Sequence, residues 1–226
     1  MSSAVQSDFP SIFNERHSVR YFDASYKLSK QEIRDILEIT GSAPSSWNLQ
    51  HWKFIVFTET AVKEKLLPIA SGQRQVVDAS VTVAILGDLE ANRNAESVYG
   101  PVIRAGLEDA YAGYSSHQVL FNQIDEAYAV SDSSIYRRDE AIRNASLAAM
   151  QLMLVTKAKG LDSGPIVGFD ADAFAKAFNV PSRYVPVLLV TIGKAARPAR
   201  PTSRFTVEQT IIWNGFEPDA TVRTNG

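Results

Sequence analysis

The segment that decides the fold is Ala43-Pro-Ser-Ser-Trp-Asn-Leu-Gln-His-Trp52. Pro44 lacks an N–H and disfavours a helical backbone at the preceding residue, so the amphipathic helix before it must end here. Four polar side chains then suit the rim of a ligand site, namely Ser45, Ser46, Asn48 and Gln50. The same pattern is typical of a polar turn whose serines and asparagine bond their own backbone while Trp52 lies in the core. This segment alone leaves both interpretations open.

A second polar motif is Arg16-His-Ser-Val-Arg-Tyr-Phe22, in which two arginines stand four residues apart around a serine. Guanidinium groups bind phosphate through two parallel hydrogen bonds, so the motif predicts an anion site. The alternative is that Arg16 and Arg20 form surface ion pairs with Asp23 or Glu15, each worth less than about 1 kcal/mol.

Taken together, these motifs resemble the amino-terminal half of the FMN-dependent nitroreductase family, flavin oxidoreductases that use NAD(P)H. Further matching segments follow in the order of that family, at residues 72–76, 162–170 and 203–205. The resemblance implies an α+β fold with a central, mostly antiparallel sheet surrounded by helices. It also implies a long central helix at a homodimer interface.

The resemblance assigns FMN contacts to the basic segments of the chain. Those that would hold the phosphate or the ribityl chain are Arg16, Ser18, Arg204 and the backbone of His17. Arg20 and Gln75 would lie at the pyrimidine edge, where a positive or donating group stabilises the negative charge of the reduced flavin. Gln73 is implied as a further cofactor contact.

Two further groups of contacts follow from the same resemblance. The residues expected to reach the flavin bound mainly by the other subunit are Pro44, Ser45, Ser46 and Asn48, so the site would be shared between subunits. The residues expected to pass along the flavin are Pro165, Ile166, Val167 and Gly168. A backbone N–H of Val167 or Gly168 would meet flavin N5, and close approach of the backbone favours glycine. The resemblance implies no catalytic side chain.

Three positions depart from the pattern of many relatives. His51 stands where they have proline, Gly72 where they have asparagine, and Val167 where they have an acidic residue or glycine. Loss of asparagine at 72 removes one flavin contact. Val167 still supplies its N–H, so we expect FMN binding to survive with an altered potential or substrate access.

The activity implied by the resemblance is a ping-pong oxidoreduction. Hydride passes from NADH or NADPH to flavin N5, and then to an electron-poor acceptor such as a nitroaromatic or a quinone. Two alternatives stay open from the sequence: a flavin-binding module without turnover, and a flavoenzyme of the same fold that uses oxygen or removes halide.

Composition excludes several other classes of protein. The chain has 226 residues, a net charge of -2 and no cysteine. It therefore lacks the net positive charge that is typical of a nucleic-acid-binding protein. Without cysteine, it cannot form disulfides or thiolate metal sites. No signal peptide and no membrane span of about 20 apolar residues is evident, and we expect a cytoplasmic protein.

Known catalytic and nucleotide-binding motifs are also missing. The three histidines stand at no metal-ligand spacing, and we expect no metal. The chain contains no dinucleotide-binding glycine motif, no P-loop and no nucleophile elbow. Basic, hydroxyl and amide groups without a general base suit an enzyme whose cofactor carries the chemistry.

Hydrophobic periodicity and turn residues predict the elements of one domain over residues 1–226. The expected helices cover residues 8–15, 29–41, 60–67, 95–112, 116–130, 139–159 and 170–178. The expected strands cover residues 53–58, 81–86 and 185–192, and residues 72–75 form a polar turn. Phe13 is expected to face the core.

Residues 91–136 are expected to form a variable helical lid over the flavin. This region is rich in aromatic side chains: Tyr99, Tyr111, Tyr114, Phe121 and Tyr128. An aromatic stripe at helical spacing is more often packing than a substrate pocket, because aromatic rings dominate protein cores.

Overall fold

An antiparallel sheet forms the centre of the protein in a computed structural model that describes residues 9–105, 117–129 and 133–216. Its strands are β1 (Trp52–Phe57), β2 (Val81–Asp88), β3 (Asp162–Ile166) and β4 (Tyr184–Gly193). They lie in the order β1-β2-β4-β3, and each neighbouring pair is antiparallel. The predicted α+β class with an antiparallel sheet is confirmed.

Helices cover this sheet in the described part of the chain. They are α1 (Phe9–Glu15), α2 (Lys30–Thr40), α3 (Thr60–Ile69), α4 (Gln75–Asp78), α5 (Ala95–Arg104), α6 (His117–Ala129), α7 (Ser133–Ala158) and α8 (Ala171–Ala177). The predicted start of α2 is confirmed in detail, because Ser29 and Glu32 exchange side-chain and backbone hydrogen bonds as a capping box. No described helix is long and apolar enough to span a membrane.

The long helix α7 packs across the sheet on a stripe of small residues. Ala145 and Ala148 are fully buried, and small side chains let the helix axis approach the strands closely. The tightest contact lies at Gly87 of β2, where a Cβ atom would be 2.8 Å from the Ala141 carbonyl oxygen. This contact places the first half of α7 over the Asp88 end of β2.

A bulge interrupts the pairing of β2 with β4. Ile85 lies opposite Leu188 and Leu86 lies opposite Pro186, so Val187 is the extra residue. Pro186 is the third residue of β4 and lies at this bulge. A bulge tolerates proline because the ladder is already interrupted there.

Some sequence predictions are wrong in detail. Phe13 is exposed rather than buried, Pro68 lies inside the last turn of α3, and α7 begins at Ser133 rather than at 139. Strand β3 was not predicted, because Asp-Ser-Gly-Pro-Ile has few β-forming residues; its pairing with β4 determines its structure. Residue 8, where the first helix is predicted to begin, and residues 106–112 of a later predicted helix lie outside the described residues.

Candidate functional site

The segment that contains Arg16 and Arg20 runs beside the edge strand β3. The Val19 N–H donates to the Ser163 carbonyl at 2.9 Å, and Ser18 forms a parallel bridge with Ser163. The fit requires glycine at 164, where a Cβ atom would lie 2.3 Å from the Val19 carbonyl oxygen. Two of the predicted contact segments are therefore joined by the backbone.

Burial of the apolar side chains turns the polar ones of this segment outward. Val19 is buried with Ala79 in a small apolar cluster, whereas Ser18 and Arg20 are exposed and Arg16 is half-buried. Neither arginine forms an ion pair with a carboxylate of the described residues.

The acidic residues considered as alternative partners of these arginines have other partners in the structure. Glu15 lies 3.8 Å from the Lys157 ammonium group. Asp23 accepts hydrogen bonds from the hydroxyl and the N–H of Ser25, which lower the pKa of its carboxyl group. The arginine side chains are therefore available to an anion.

A cavity of about 220 Å³ lies between this segment and the chain after β4. Its lining consists of Ser18, Arg20, Tyr21 and residues 198–202. Arg200 thus adds a second guanidinium to the cavity. Arg204 follows on the exposed chain, where it donates to the Ser203 carbonyl at 2.8 Å.

The loop after β3 is held against the turn between α3 and α4. The Gln73 side-chain amide donates to the Gly168 carbonyl at 3.1 Å, and the Asp170 N–H donates to the Ile69 carbonyl at 2.9 Å. Val167 is 76% exposed, and a Cβ atom at Gly168 would meet no atom within 4 Å. A flat ligand could therefore approach this backbone directly.

Gly72 and Gln75 belong to the same turn. Gly72 has a φ of 73°, a left-handed conformation that asparagine also tolerates, which explains why either residue can stand there. Gln75 is buried and begins α4. The predicted polar turn is thus wrong at Gln75, since the residue lies in a helix and its side chain is largely covered in this single chain.

A second group of predicted contacts lies in the turn before β1. Residues Ser46–Asn48 form a 3₁₀ turn, and φ is positive at Trp47, Asn48 and Gln50. Asparagine tolerates this conformation, but tryptophan rarely adopts it, and each such residue costs of order 1–3 kcal/mol. The rest of the protein must therefore stabilise the turn.

Several hydrogen bonds supply this stabilisation. The Ser45 hydroxyl accepts from the Gln50 N–H at 2.9 Å, which is the bond expected of a polar turn. The Tyr99 hydroxyl donates to the Trp47 carbonyl, and the Asn94 side chain donates to the Leu49 carbonyl at 2.9 Å. Trp52 is buried as that interpretation requires, whereas Asn48 is exposed and remains available to a ligand.

Helices α5 and α6 of the predicted lid pack directly on this turn. Their apolar side chains form one cluster with it, namely Leu49, Ala91, Ala95, Tyr99, Leu120, Ile124 and Tyr128. Tyr99 and Tyr128 are buried, so for these two aromatics the packing interpretation is confirmed. Tyr111 and Tyr114 lie outside the described residues.

Sequence reasoning missed Asn144 of α7, whose side-chain oxygen accepts from the Ser46 N–H at 2.8 Å. One signal could have revealed it. Ala141, Asn144, Ala145 and Ala148 fall on one helix face, so an amide interrupts a stripe that is otherwise alanine.

Ser46 and Ser163 lie toward opposite ends of α7. Ser46 is held at Asn144, one helical turn from the Ala141 contact with β2, whereas β3 begins beside the other end of α7, where Lys157 lies 3.6 Å from Asp162. About 20 Å of helix separates Asn144 from Ala158 at a rise of about 1.5 Å per residue.

Known proteins resemble this chain in sequence and in fold. The model of the Nitroreductase family matches residues 14–194. The chain belongs to the Nitroreductase family. YodC of Bacillus subtilis, which carries the name of an NAD(P)H nitroreductase, is 44% identical over 202 residues, covering 89% of this chain and 96% of YodC.

Solved structures of family members agree with the fold. A nitroreductase of Exiguobacterium sibiricum in complex with FMN has a TM-score of 0.83 at 35% identity, covering 92% of this chain and 97% of its own. A relative named as a CLA biosynthesis enone reductase, from Lactiplantibacillus plantarum, is 30% identical over 208 residues, 91% of this chain and 94% of that protein. No cluster of potential metal ligands occurs among the described residues.

Proposed function

We propose that this nitroreductase-family protein is an FMN-dependent NAD(P)H oxidoreductase that reduces electron-poor acceptors such as nitroaromatics or quinones by a ping-pong mechanism. Bound FMN would supply the hydride transfer between NAD(P)H and the acceptor, chemistry that the side chains of this chain do not provide. The observation that carries the proposal is the junction of the arginine segment with β3, next to the open backbone at Gly168.

The residues at this junction fit FMN in their chemistry. Arg16, Ser18 and Arg204 would bind the phosphate. Arg20 and Gln75 would lie at the pyrimidine edge of the ring, for which the Gln75 side chain, buried in this chain, would have to turn outward. Gln73 holds the Gly168 carbonyl, and the Gly168 N–H would lie beside the flavin. Pro165, Ile166 and Val167 complete this wall, and an acceptor in an open site takes its proton from water.

We propose that Pro44, Ser45, Ser46 and Asn48 contact the flavin of a second subunit in a homodimer. Their attachment to the first half of α7, whereas β3 begins beside its end, supports this, because each flavin would then receive one group from each subunit. The chain after β4 offers the apolar surface for such a dimer, since Trp213 and Phe216 are 81% and 85% exposed. Exposed apolar side chains that lie so close in sequence indicate a surface that another chain covers.

A groove beside β1 provides a place for that surface. It has a volume of about 770 Å³ and includes Asn48, Trp52, Phe54, Val56 and Val98 in its lining. Asn48 belongs to both the groove and the proposed flavin contacts, so docking of a partner there would also complete the site. The long helix α7 contributes exposed Leu147 and Met150 to the proposed interface.

The remaining expectations are part of the same proposal. The chain is a single flavin-binding domain, and residues 91–136 form the lid that selects acceptors. A relative named as an enone reductase indicates that acceptors differ within the family. A protein that uses NAD(P)H is expected in the cytoplasm, where that cosubstrate is available.

Absorption spectroscopy of the purified protein tests the proposal. We expect the bands of bound flavin, bleaching on anaerobic addition of NADH or NADPH, and reoxidation by a quinone or a nitroaromatic. Bands that NAD(P)H does not bleach would indicate a binding module without turnover. A protein that neither contains FMN nor takes it up would contradict the proposal.

A further inference from the structure

One buried side chain connects the central helix to the turn before β1. The Asn144 side-chain oxygen accepts from the Ser46 N–H at 2.8 Å, and the Asn144 nitrogen lies 3.4 Å from the Ser46 hydroxyl. Asn144 is 1% exposed. The two residues are 98 positions apart in sequence, so this contact exists only in the folded chain.

The orientation of the Asn144 amide is determined by Glu140, one turn earlier on α7. The Asn144 nitrogen donates to the Glu140 carbonyl at 2.7 Å and to its carboxylate at 3.0 Å. Both acceptors require the nitrogen, so the amide oxygen must face Ser46. Glu140 is itself buried and pairs with Arg143, which keeps the carboxylate in place.

The contact between Asn144 and Ser46 directly precedes two turn residues with an unfavourable backbone conformation. Trp47 and Asn48, the two residues after Ser46, have φ values of 55° and 50°. The Tyr99 hydroxyl holds the Trp47 carbonyl from α5. The turn is thus fixed from two sides, and Asn144 provides the connection to the rigid centre of the fold.

We propose that Asn144 is a positioning residue, which holds the Ser46 peptide so that Ser45, Ser46 and Asn48 are presented to the flavin in a defined geometry. This inference rests on the proposed function, because it assigns the turn to flavin binding. Asn144 acts through Ser46 and does not touch the cofactor. Without its oxygen, the Ser46 N–H loses its acceptor and the left-handed residues after it can relax.

Three variants separate this role from general stability. Asn144→Ala removes the acceptor for Ser46. Glu140→Gln keeps the Asn144 oxygen as the acceptor for Ser46 and keeps the bond from the Asn144 nitrogen to the carbonyl of residue 140, so it changes the neighbouring side chain without removing the Ser46 contact. Ser146→Ala is the control, since its exposed hydroxyl donates to the Ile142 carbonyl on the same helix and does not face the turn.

Hydrogen exchange of the apoprotein is the first measurement, because it needs no cofactor. We expect amide exchange in residues 44–50 to become at least tenfold faster in Asn144→Ala and to stay close to wild type in Glu140→Gln. FMN titration of the same proteins should give a dissociation constant raised about tenfold or more in Asn144→Ala and nearly unchanged in Glu140→Gln.

Two results would overturn the inference. One is wild-type exchange and FMN affinity in a folded Asn144→Ala protein. The other is a folded Glu140→Gln protein that is as defective as Asn144→Ala, because this variant keeps the Ser46 contact. If Asn144→Ala does not fold, Asn144→Leu, which removes the acceptor with little change in volume, takes its place. Failure of wild type to bind FMN would contradict the proposed function instead, while the exchange data would still report on the contact.

Discussion

The Nε2 atom of His51 lies 2.7 Å from the hydroxyl oxygen of Tyr128, and both side chains are buried. The bond links the turn before β1 to α6 of the predicted lid. The other ring nitrogen, Nδ1, has no hydrogen-bond partner in the described part of the chain. Burial lowers the pKa of His51 from 6.5 to about 4, with Asp88 opposing the shift, so the imidazole is neutral in the folded protein at pH 7.

The first prediction is that acid destabilises the protein through His51. Between pH 6.5 and 4 the unfolded chain binds a proton at this residue that the folded chain does not bind. The free energy of unfolding should therefore fall as the pH falls through this range, by about 2 kcal/mol between pH 6.5 and 5. Urea unfolding at several pH values measures the slope.

A matched variant isolates the histidine from other titrating groups. His51→Gln cannot titrate here, so its unfolding free energy should change with pH by about 2 kcal/mol less than that of wild type over the same interval. Equal slopes for the two proteins would show that folding does not lower the pKa of His51.

The second prediction concerns the Tyr128 hydroxyl. Tyr128→Phe keeps the ring but leaves both nitrogens of buried His51 without a partner, which should lower the free energy of unfolding by about 1–3 kcal/mol. Tyr136→Phe is the control, because Tyr136 packs edge-on against Tyr128 at a centroid distance of 5.6 Å. Thermal unfolding measures the change. An equal loss of unfolding free energy in both variants would mean that the hydrogen bond between Tyr128 and His51 does not stabilise the protein.

The third prediction compares two glycines of the proposed flavin wall. Gly164→Ala should destabilise the apoprotein by about 2 kcal/mol or more, because its Cβ atom would overlap the Val19 carbonyl. Gly168→Ala has open space around it and should leave apoprotein stability within about 0.5 kcal/mol, while weakening FMN binding. Thermal unfolding without FMN and titration with FMN distinguish the two effects, and normal FMN affinity in Gly168→Ala would place the flavin elsewhere.

The fourth prediction uses riboflavin, which lacks the phosphate of FMN. Arg16→Gln should weaken FMN binding about tenfold or more, the cost of a lost hydrogen bond between charged groups, and should leave riboflavin binding nearly unchanged. Arg74→Gln is the control. It also removes one positive charge near the proposed site, but Arg74 pairs with Asp78 at 2.8 Å and is not a proposed phosphate contact. If the Arg16 variant loses affinity for both ligands equally, Arg16 does not bind the phosphate.

The fifth prediction concerns the exposed chain after β4. Trp213→Ser removes a large apolar side chain that is 81% exposed, and it should shift a dimer toward monomer by about 2 kcal/mol or more of association free energy. Sedimentation velocity measures the shift. The monomer should also lose FMN, and a monomer that binds FMN normally would contradict the shared site.

Local sequence signals predicted those parts of the fold that depend on neighbouring residues. Ser29 with Glu32 marked the start of α2, and Asp170 marked the start of α8, since its side chain accepts from the Ala173 N–H. Periodicity located strands β1, β2 and β4 to within a few residues. These elements form from interactions between residues close in sequence.

Contacts between distant residues could not be predicted in the same way. Strand β3 exists because β4 pairs with it, and Gln75 is buried because of the packing of α4. Asn144 and Ser46 are far apart in sequence, and resemblance to the family identified the turn but not the helix residue that holds it. The motifs therefore predicted which segments form the candidate site and left its supporting contacts unassigned.

The two edges of the sheet differ in their capacity for unwanted aggregation. β3 is short and contains Pro165, which has no N–H to donate, and Ser18 already bridges to it. β1 is a regular six-residue strand at the opposite edge, and unprotected edges of this kind recruit strands from other molecules. In the proposed dimer, the partner's chain after β4 lies in the groove beside β1 and covers this edge. Truncation of that chain should therefore expose β1 and lower the solubility of the protein during expression. Polar or charged substitutions on the exposed side of β1 should restore the solubility.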